Sequence, residues 1–365
     1  MKFRQRSRAG AFFLTFMLVA AFLSVLGLEA KSGPVLWSFS SFGNQDYFHQ
    51  PSDIAVDSGH QLIYVADSGN NRIAVFDFDG RFVRSIGREG QGPGEFSRPT
   101  GICILDDSRL AVADFGNNRI QIFDASGELE GVINTKEIRV ADLLEAGGLL
   151  FTIPSFGISG YNLNMRLEES SQPLVEVLDM NGNELRRITT DRFPETHPFI
   201  RAIKHRVGVA LSPQGKLYLP FFAVNLILVF DLEGELIGEI ERPLPFKPIM
   251  PELQQQRSSG DVIQMMARTD MVSQSALFGP DGLLYVLTYT DSLLERLKKA
   301  KKPEEMAPAP MRIDVIDPRT DKPVRTLDCE AGTRAFALLD SERLVVIFED
   351  EEGELVFRCR RIPIR

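Results

Sequence analysis

The sequence predicts an all-β chain closed into a six-bladed β-propeller, and three observations carry that expectation. The first is a repeated phrase: Tyr64-Val-Ala-Asp-Ser-Gly-Asn-Asn-Arg-Ile73 returns 47 residues later as Ala111-Val-Ala-Asp-Phe-Gly-Asn-Asn-Arg-Ile120. A period of about 40–50 residues with four short strand signals per unit marks propeller blades. The second is a hairpin signature in which an apolar residue and Asp precede a turn. It occurs at Phe76–Gly80, Phe123–Gly127, Leu178–Gly182, Phe230–Gly234 and Ile316–Thr320. The third is a missing strand: the last unit, Thr333 to Ile364, has only three strand signals, and the fourth sits at the other end of the chain.

Taken in chain order, residues 1–30 come first. Lys2, Arg4, Arg6 and Arg8 precede an apolar run from Ala9 to Leu28, the pattern of a secretory signal. Cleavage after Ala30 and retention as an N-terminal membrane anchor both remain open, because the run is nearly long enough to span a bilayer. Either places the body, residues 31–365, outside the cytoplasm, periplasmic or secreted. No Cys follows the run, which argues against a lipid-anchored N-terminus. The whole chain carries −9; the first thirty residues carry +3, so the body carries −12. An acidic body of this kind argues against nucleic acid, whose binding needs clustered cations. Three cysteines, Cys103, Cys329 and Cys359, are too few for a disulfide framework. Cys103 reads as a buried strand residue, and a Cys329–Cys359 bridge is left open.

Val35–Phe42 matches the outer strand Phe82–Ile86 and is expected to complete the last blade. This closes the ring and removes an unpaired edge. Unit one runs Pro51–Ile86 and unit two Pro99–Ile133, each after a short lead-in, Phe48–Pro51 and Phe96–Pro99. Asp or Asn with Gly at the hairpin turns supplies the positive φ that short hairpins need. Units three to six diverge but keep regular second strands at Leu149–Ile153, Lys216–Leu219, Leu283–Val286 and Leu344–Phe348.

On these residues the chain resembles the NHL-repeat six-bladed β-propellers of the exported bacterial kind. The resemblance is strong over Phe48–Ile133 and rests on degenerate units from Ile138 onward. It implies a structural role for Asp67, Asn70, Asn71 and Arg72, and for Asp114, Asn117, Asn118 and Arg119. The residues alone agree: each carboxylate can accept hydrogen bonds from its Asn-Asn turn and pair with its own repeat's Arg. Because they recur once per blade, they cannot share one metal site. The later units lack the motif and must hold their loops by other means.

Gly87–Gly94 is glycine-rich, but a strand rather than a helix follows, so it reads as a blade connector and not a phosphate cradle. Aligning the inner strands brings Asp53, Gly101, Asp142, Gly208 and Ser275 to the mouth of the central channel. Asp53 and Asp142 are therefore the catalytic candidates of an alternative reading, a calcium-dependent, lactonase-like hydrolase or lyase. None of the four histidines, His49, His60, His197 and His205, falls on an inner strand, which disfavours a three-His zinc site. No Ser-His-Asp or Cys-His set is visible, and no metal or other cofactor is otherwise expected.

The main functional signal is a break in rhythm. Turns after the first and third strands stay short, whereas Pro154–Pro173, Thr189–Arg206, Arg242–Met271 and Tyr289–Met311 are long. Strand alternation puts all four on one face, and long loops in a compact domain are usually functional or disordered. The expected binding face comprises Phe156, Tyr161, Asn164 and Arg166 with Arg192, Phe193, His197, Arg201 and His205, a mix that suits a protein or glycan partner. Asp291–Lys302 reads as a short helix with Leu293, Leu294 and Leu297 on one side, either a lid packed on the ring or a partner- or membrane-contacting helix. The leading expectation is an extracytoplasmic binding scaffold. Its membrane contact would run through the N-terminal segment if that is uncleaved, and its oligomeric state is open.

Overall fold

Six four-stranded antiparallel sheets form the blades of a ring in the computed structural model, which describes residues 33–136, 138–155, 173–193, 200, 203–204, 206–257, 263–300 and 306–363. Blade one comprises Pro51–Asp57, Leu62–Asp67, Arg72–Asp77 and Phe82–Ile86. Blade two comprises Pro99–Ile104, Leu110–Asp114, Arg119–Phe123 and Leu129–Asn134. Blades three, four and five begin at Val140, Ala210 and Ser273 and end at Ile188, Ile240 and Asp328. Their inner strands touch in ring order, with blade six against blade one.

The second strands read as unbroken apolar runs because both of their faces are buried. In Leu62–Asp67, Ile63 and Val65 enter the core shared with blade six, while Tyr64 and Ala66 enter the core shared with blade two. Five further second strands repeat this, giving a hydrophobic core between each pair of neighbouring blades. The third-to-fourth-strand turns are equally regular. Asp77 accepts the amides of Asp79 and Arg81 and Gly80 closes the turn; Asp124, Asp179 and Asp231 likewise accept the amide four residues on, before a closing Gly, and Asp350 does so in the second-to-third-strand turn of blade six.

Blade six is Thr333–Leu338, Arg343–Glu349 and Leu355–Arg361, finished by the N-terminal strand Val35–Phe39. Val35 pairs with Arg360, Trp37 with Cys359 and Phe39 with Phe357. Trp37 meets Phe357 edge-on at 5.0 Å, Phe39 lies 5.5 Å from Phe76 of blade one, and the indole N–H donates to the Phe78 carbonyl at 3.1 Å. Gly80, at φ +79°, is required here twice over: a Cβ would lie 2.7 Å from the indole. Pro34 accepts the Arg361 amide at 2.9 Å, so both ends of the described chain leave side by side.

All three cysteines are free. Cys359 is buried opposite Trp37 and Cys329 sits 3.1 Å from the Thr333 hydroxyl, so the Cys329–Cys359 bridge left open by the sequence does not form. Among the described residues no helix is long and apolar enough to cross a membrane; the 1–30 segment lies outside them.

Candidate functional site

Strand direction sorts the loops onto two faces. First-to-second and third-to-fourth strand turns lie on one, and the remaining connections lie on the other. The long connections after Pro154, Ile188, Ile240 and Tyr289 all belong to the second class, here called the insertion face. The connection after Ile240 carries a hairpin, Glu252–Arg257 with Ile263–Arg268, that the sequence reading did not resolve. The one after Tyr289 carries the helix Leu293–Lys299.

Buried polar groups tie these excursions to the ring. Asp270, fully buried, accepts from Ser292 Oγ at 2.7 Å and the Leu294 amide at 3.2 Å, and its other oxygen accepts the Ile249 amide at 2.9 Å. Ser292 in turn caps the helix through the Glu295 amide. The helix is therefore docked on the base of the hairpin insertion, although Leu297 remains exposed. Arg242, buried at the root of the same insertion, donates to Thr288 and Ser273 hydroxyls at 2.5 and 2.6 Å and faces Asp314 at 3.4 Å. Burial pushes the Arg242 guanidinium down to about 10, which leaves it charged at neutral pH.

The repeat residues of blades one and two do comparable work. Asp67 accepts the His49 amide, Asn70 Nδ2 and Arg72 Nε; Asp114 accepts the Ser97 amide, Asn117 Nδ2 and Arg119 Nε. Arg119 also donates to the carbonyls of Gln91, Gly92 and Glu95, so it clamps the glycine-rich connector. Asn71 and Asn118 take the left-handed φ of +54° and +50° that ends each turn, and Asn71 Oδ1 accepts the Arg98 amide of the next blade.

Of the expected binding-face residues, Phe156, Tyr161, Asn164, Arg166, His197, Arg201 and His205 lie outside the described residues. Arg192 is exposed and pairs with Glu239 at 2.7 Å. Phe193 packs its ring against Phe221 at 5.2 Å, in the core between blades three and four.

At the channel mouth, cross-strand pairing puts Asp53, Asp142, Ser275 and Ala335 at equivalent positions, opposite Ala66, Ile153, Leu287 and Ile347. Gly101 and Gly208 occupy the same level in blades two and four. Asp53 accepts its neighbour Ile54's amide at 2.8 Å and reaches across to the Ile102 amide at 2.9 Å. Asp142 accepts the Leu143 amide at 2.8 Å. Gly101 lies between the two carboxylates, and a Cβ there would sit 2.6 Å from the Asp142 Cα, so this close approach excludes any side chain. Ser275 Oγ is buried without a hydrogen-bond partner.

Burial first, and then the Asp142 charge, hold Asp53 well above the usual carboxylate range; burial lifts Asp142 to about 6. Among the described residues no third His, Cys, Asp or Glu joins them to form a metal cluster. Two carboxylates that already accept amide hydrogen bonds supply too few oxygens for calcium, which takes six to eight. With both values raised, the folded state holds their protons more tightly than the unfolded chain, whose aspartates titrate near 4. Stability falls as pH rises from about 4 through about 6 and beyond, as both carboxyls ionise. Asp142→Asn should then match the parent at pH 4 and exceed it above pH 6 by about 1–2 kcal/mol, measured by urea unfolding. An equal or lower stability of the variant at pH 7.5 would contradict the assignment.

Comparison with known proteins agrees with the fold. Residues 48–196 match a protein family described as a 6-bladed beta-propeller. A stretch of 85 residues is 37% identical to the peptidylglycine alpha-amidating monooxygenase of Rattus norvegicus, covering 21% of this chain and 9% of that protein. The chain thus spans under a tenth of the length of that relative. A member of the duf4221 family from Bacteroides vulgatus superposes with a TM-score of 0.57 at 11% identity, covering 91% of this chain and 98% of that one. A gluconolactonase from Xanthomonas campestris superposes with a TM-score of 0.53 at 14% identity, covering 90% and 88%. At these identities the likeness is one of fold.

Proposed function

We propose that this protein is an extracytoplasmic binding module whose working surface is the insertion face over blades three to five. One observation carries the reading: every long connection belongs to the loop classes of a single face, and buried Asp270 and Arg242 fix the roots of two of them. Built roots beneath long loops suit recognition of a protein or glycan. Photo-crosslinking residues placed at Arg192 on the insertion face and at Glu233 on the short-turn face test this in the intact cell envelope. Partner adducts are expected from position 192 alone. Adducts from 233 alone would overturn the reading.

A second reading has its own support. A carboxyl raised to about 6 beside another at the channel mouth suits general acid–base hydrolysis, and the unpartnered Ser275 hydroxyl lies at the same level. The superposing gluconolactonase lends the reading a fold but no residues. It predicts that Asp142→Asn, which leaves the fold intact, abolishes lactone hydrolysis; hydrolysis unchanged by that substitution would remove it.

A further inference from the structure

The strand register assigns one further set of residues. Each inner strand starts at a bridged position: Pro51, Pro99, Val140, Val207, Ser273 and Thr333, opposite Asp67, Asp114, Pro154, Phe221, Thr288 and Phe348. The residue just before this position stands on the rim of the insertion face. In ring order these are Gln50, Arg98, Arg139, Arg206, Val272 and Gly332. Three successive blades, two to four, therefore present arginine at one equivalent point.

The residue just after the opposite partner forms a second ring: Ser68, Phe115, Ser155, Phe222, Tyr289 and Glu349. The arginines rest on its aromatic members. Arg98 and Arg139 hold their guanidinium carbons 5.7 and 5.4 Å from the Phe115 centroid, and Arg206 lies 4.1 Å from that of Phe222. A cation over a ring face is held by the ring quadrupole, while its in-plane N–H donors stay free. Arg98 is further fixed through its backbone, at φ +53°, by the bond from its amide to Asn71.

Among the described residues, none of the three has a carboxylate within ion-pair distance, although most other arginines here do. All three are exposed as residues. Even so, burial of its guanidinium end pulls Arg206 below its ordinary value, opposed only by Tyr289. No arginine acts on the half-buried Asp53 and Asp142, whose carboxyls stay raised by desolvation. The acidic run Glu349–Glu352 sits across the ring on blade six. The rim is thus electrically polarised, with a basic arc on one side and an acidic run on the other, and such an arrangement selects the sign and the position of a charged ligand.

We propose that Arg98, Arg139 and Arg206 form an oxyanion-docking arc that receives the carboxylate or phosphate group of the ligand on the insertion face. This rests on the insertion face being the working surface and supplies the chemistry that the surface reading leaves unnamed. Guanidinium groups suit this role because their forked donors match carboxylate and phosphate oxygens.

The test is titration calorimetry of residues 31–365 at low ionic strength with citrate, inorganic phosphate and poly-L-glutamate. Arg98→Gln, Arg139→Gln, Arg206→Gln and their triple combination are compared with Arg81→Gln, an arginine in a short turn on the opposite face. Binding of at least one probe is expected, weakened about 10-fold by each rim substitution, unchanged by Arg81→Gln and reduced by salt. Citrate or phosphate binding identifies a free small anion, and binding by poly-L-glutamate alone identifies a group presented on a polymer. No binding of any probe, or undiminished binding by a folded triple variant, overturns the proposal. The surface reading fails differently, through crosslinks from the short-turn face. Crosslinks that stay at position 192 and are unaffected by the triple substitution remove the arc alone.

Discussion

Deleting residues 33–40 is expected to leave no folded monomer at 37 °C. The deletion strips blade six of its outer strand and exposes the edge of Leu355–Arg361, whose amides and carbonyls then lack partners. It also uncovers Phe357 and removes Trp37 and Phe39 from the aromatic cluster that joins blade six to blade one. Truncating one buried large aromatic costs about 3–5 kcal/mol, and a whole domain is stable by only about 5–15 kcal/mol. Loss of two partly buried rings, exposure of Phe357 and an unpaired strand edge together exhaust that margin. The control is a circular permutant in which the same eight residues follow residue 363 through a short glycine turn. Because the Arg361 amide already bonds Pro34, the new connection would resemble an ordinary third-to-fourth-strand turn, and folding should return. Circular dichroism and size exclusion would read both. A deletion variant that melts like the parent, or a permutant that stays unfolded, would show that closure by this strand is not what holds the ring.

Arg119→Ala should lower stability by about 3 kcal/mol, near the bottom of the range for breaking a buried pair. The fully buried Asp114 carboxylate would lose its cation but keep the Ser97 amide, Asn117 and Gln121, which limits the loss. Three connector carbonyls would lose their donor at the same time. In a domain of this size the midpoint should fall by roughly 5 °C. Arg119→Lys should recover only part of this, because one ammonium cannot reproduce the fork. Arg81→Ala, whose exposed pairs with Asp77 and Asp79 are screened by water, should change stability by less than about 0.5 kcal/mol. Comparable losses from Arg119→Ala and Arg81→Ala in urea unfolding would refute the ranking.

The ring was legible in the sequence because its signals are local and repeated. The Asp-Gly turns and the doubly buried second strands recur in phase, and the incomplete last unit points to Val35–Phe42, of which Val35–Phe39 forms the closing strand. The site was legible only in part. Asp53 and Asp142 could be aligned by counting along inner strands, but nothing local shows that Gly101 parts them and that Asp53 reaches the next blade's Ile102. Arg242 and Asp270 sit in irregular connections and act on residues 21 to 72 positions away, so periodicity gives no handle on them. Arg98, Arg139 and Arg206 were within reach: extending the alignment one residue outward from each inner strand would have lined them up. Phe193 illustrates the opposite case, an aromatic in a long loop whose neighbour Phe221 lies 28 positions on.

The adjacent ends of the described chain carry a consequence for display. Val35 starts an outer strand and pairs with Arg360 at the finish of a third strand, so Pro34 and Arg361 both emerge on the short-turn face. A tether at either end, whether a retained leading segment, a fused domain or a bead, would plant the molecule on that face. The long connections, and with them the arginine arc, would then point outward like a dish on its stand. Neither terminus would have to cross the receptive side, and immobilising the protein through either one should leave ligand capture equally efficient.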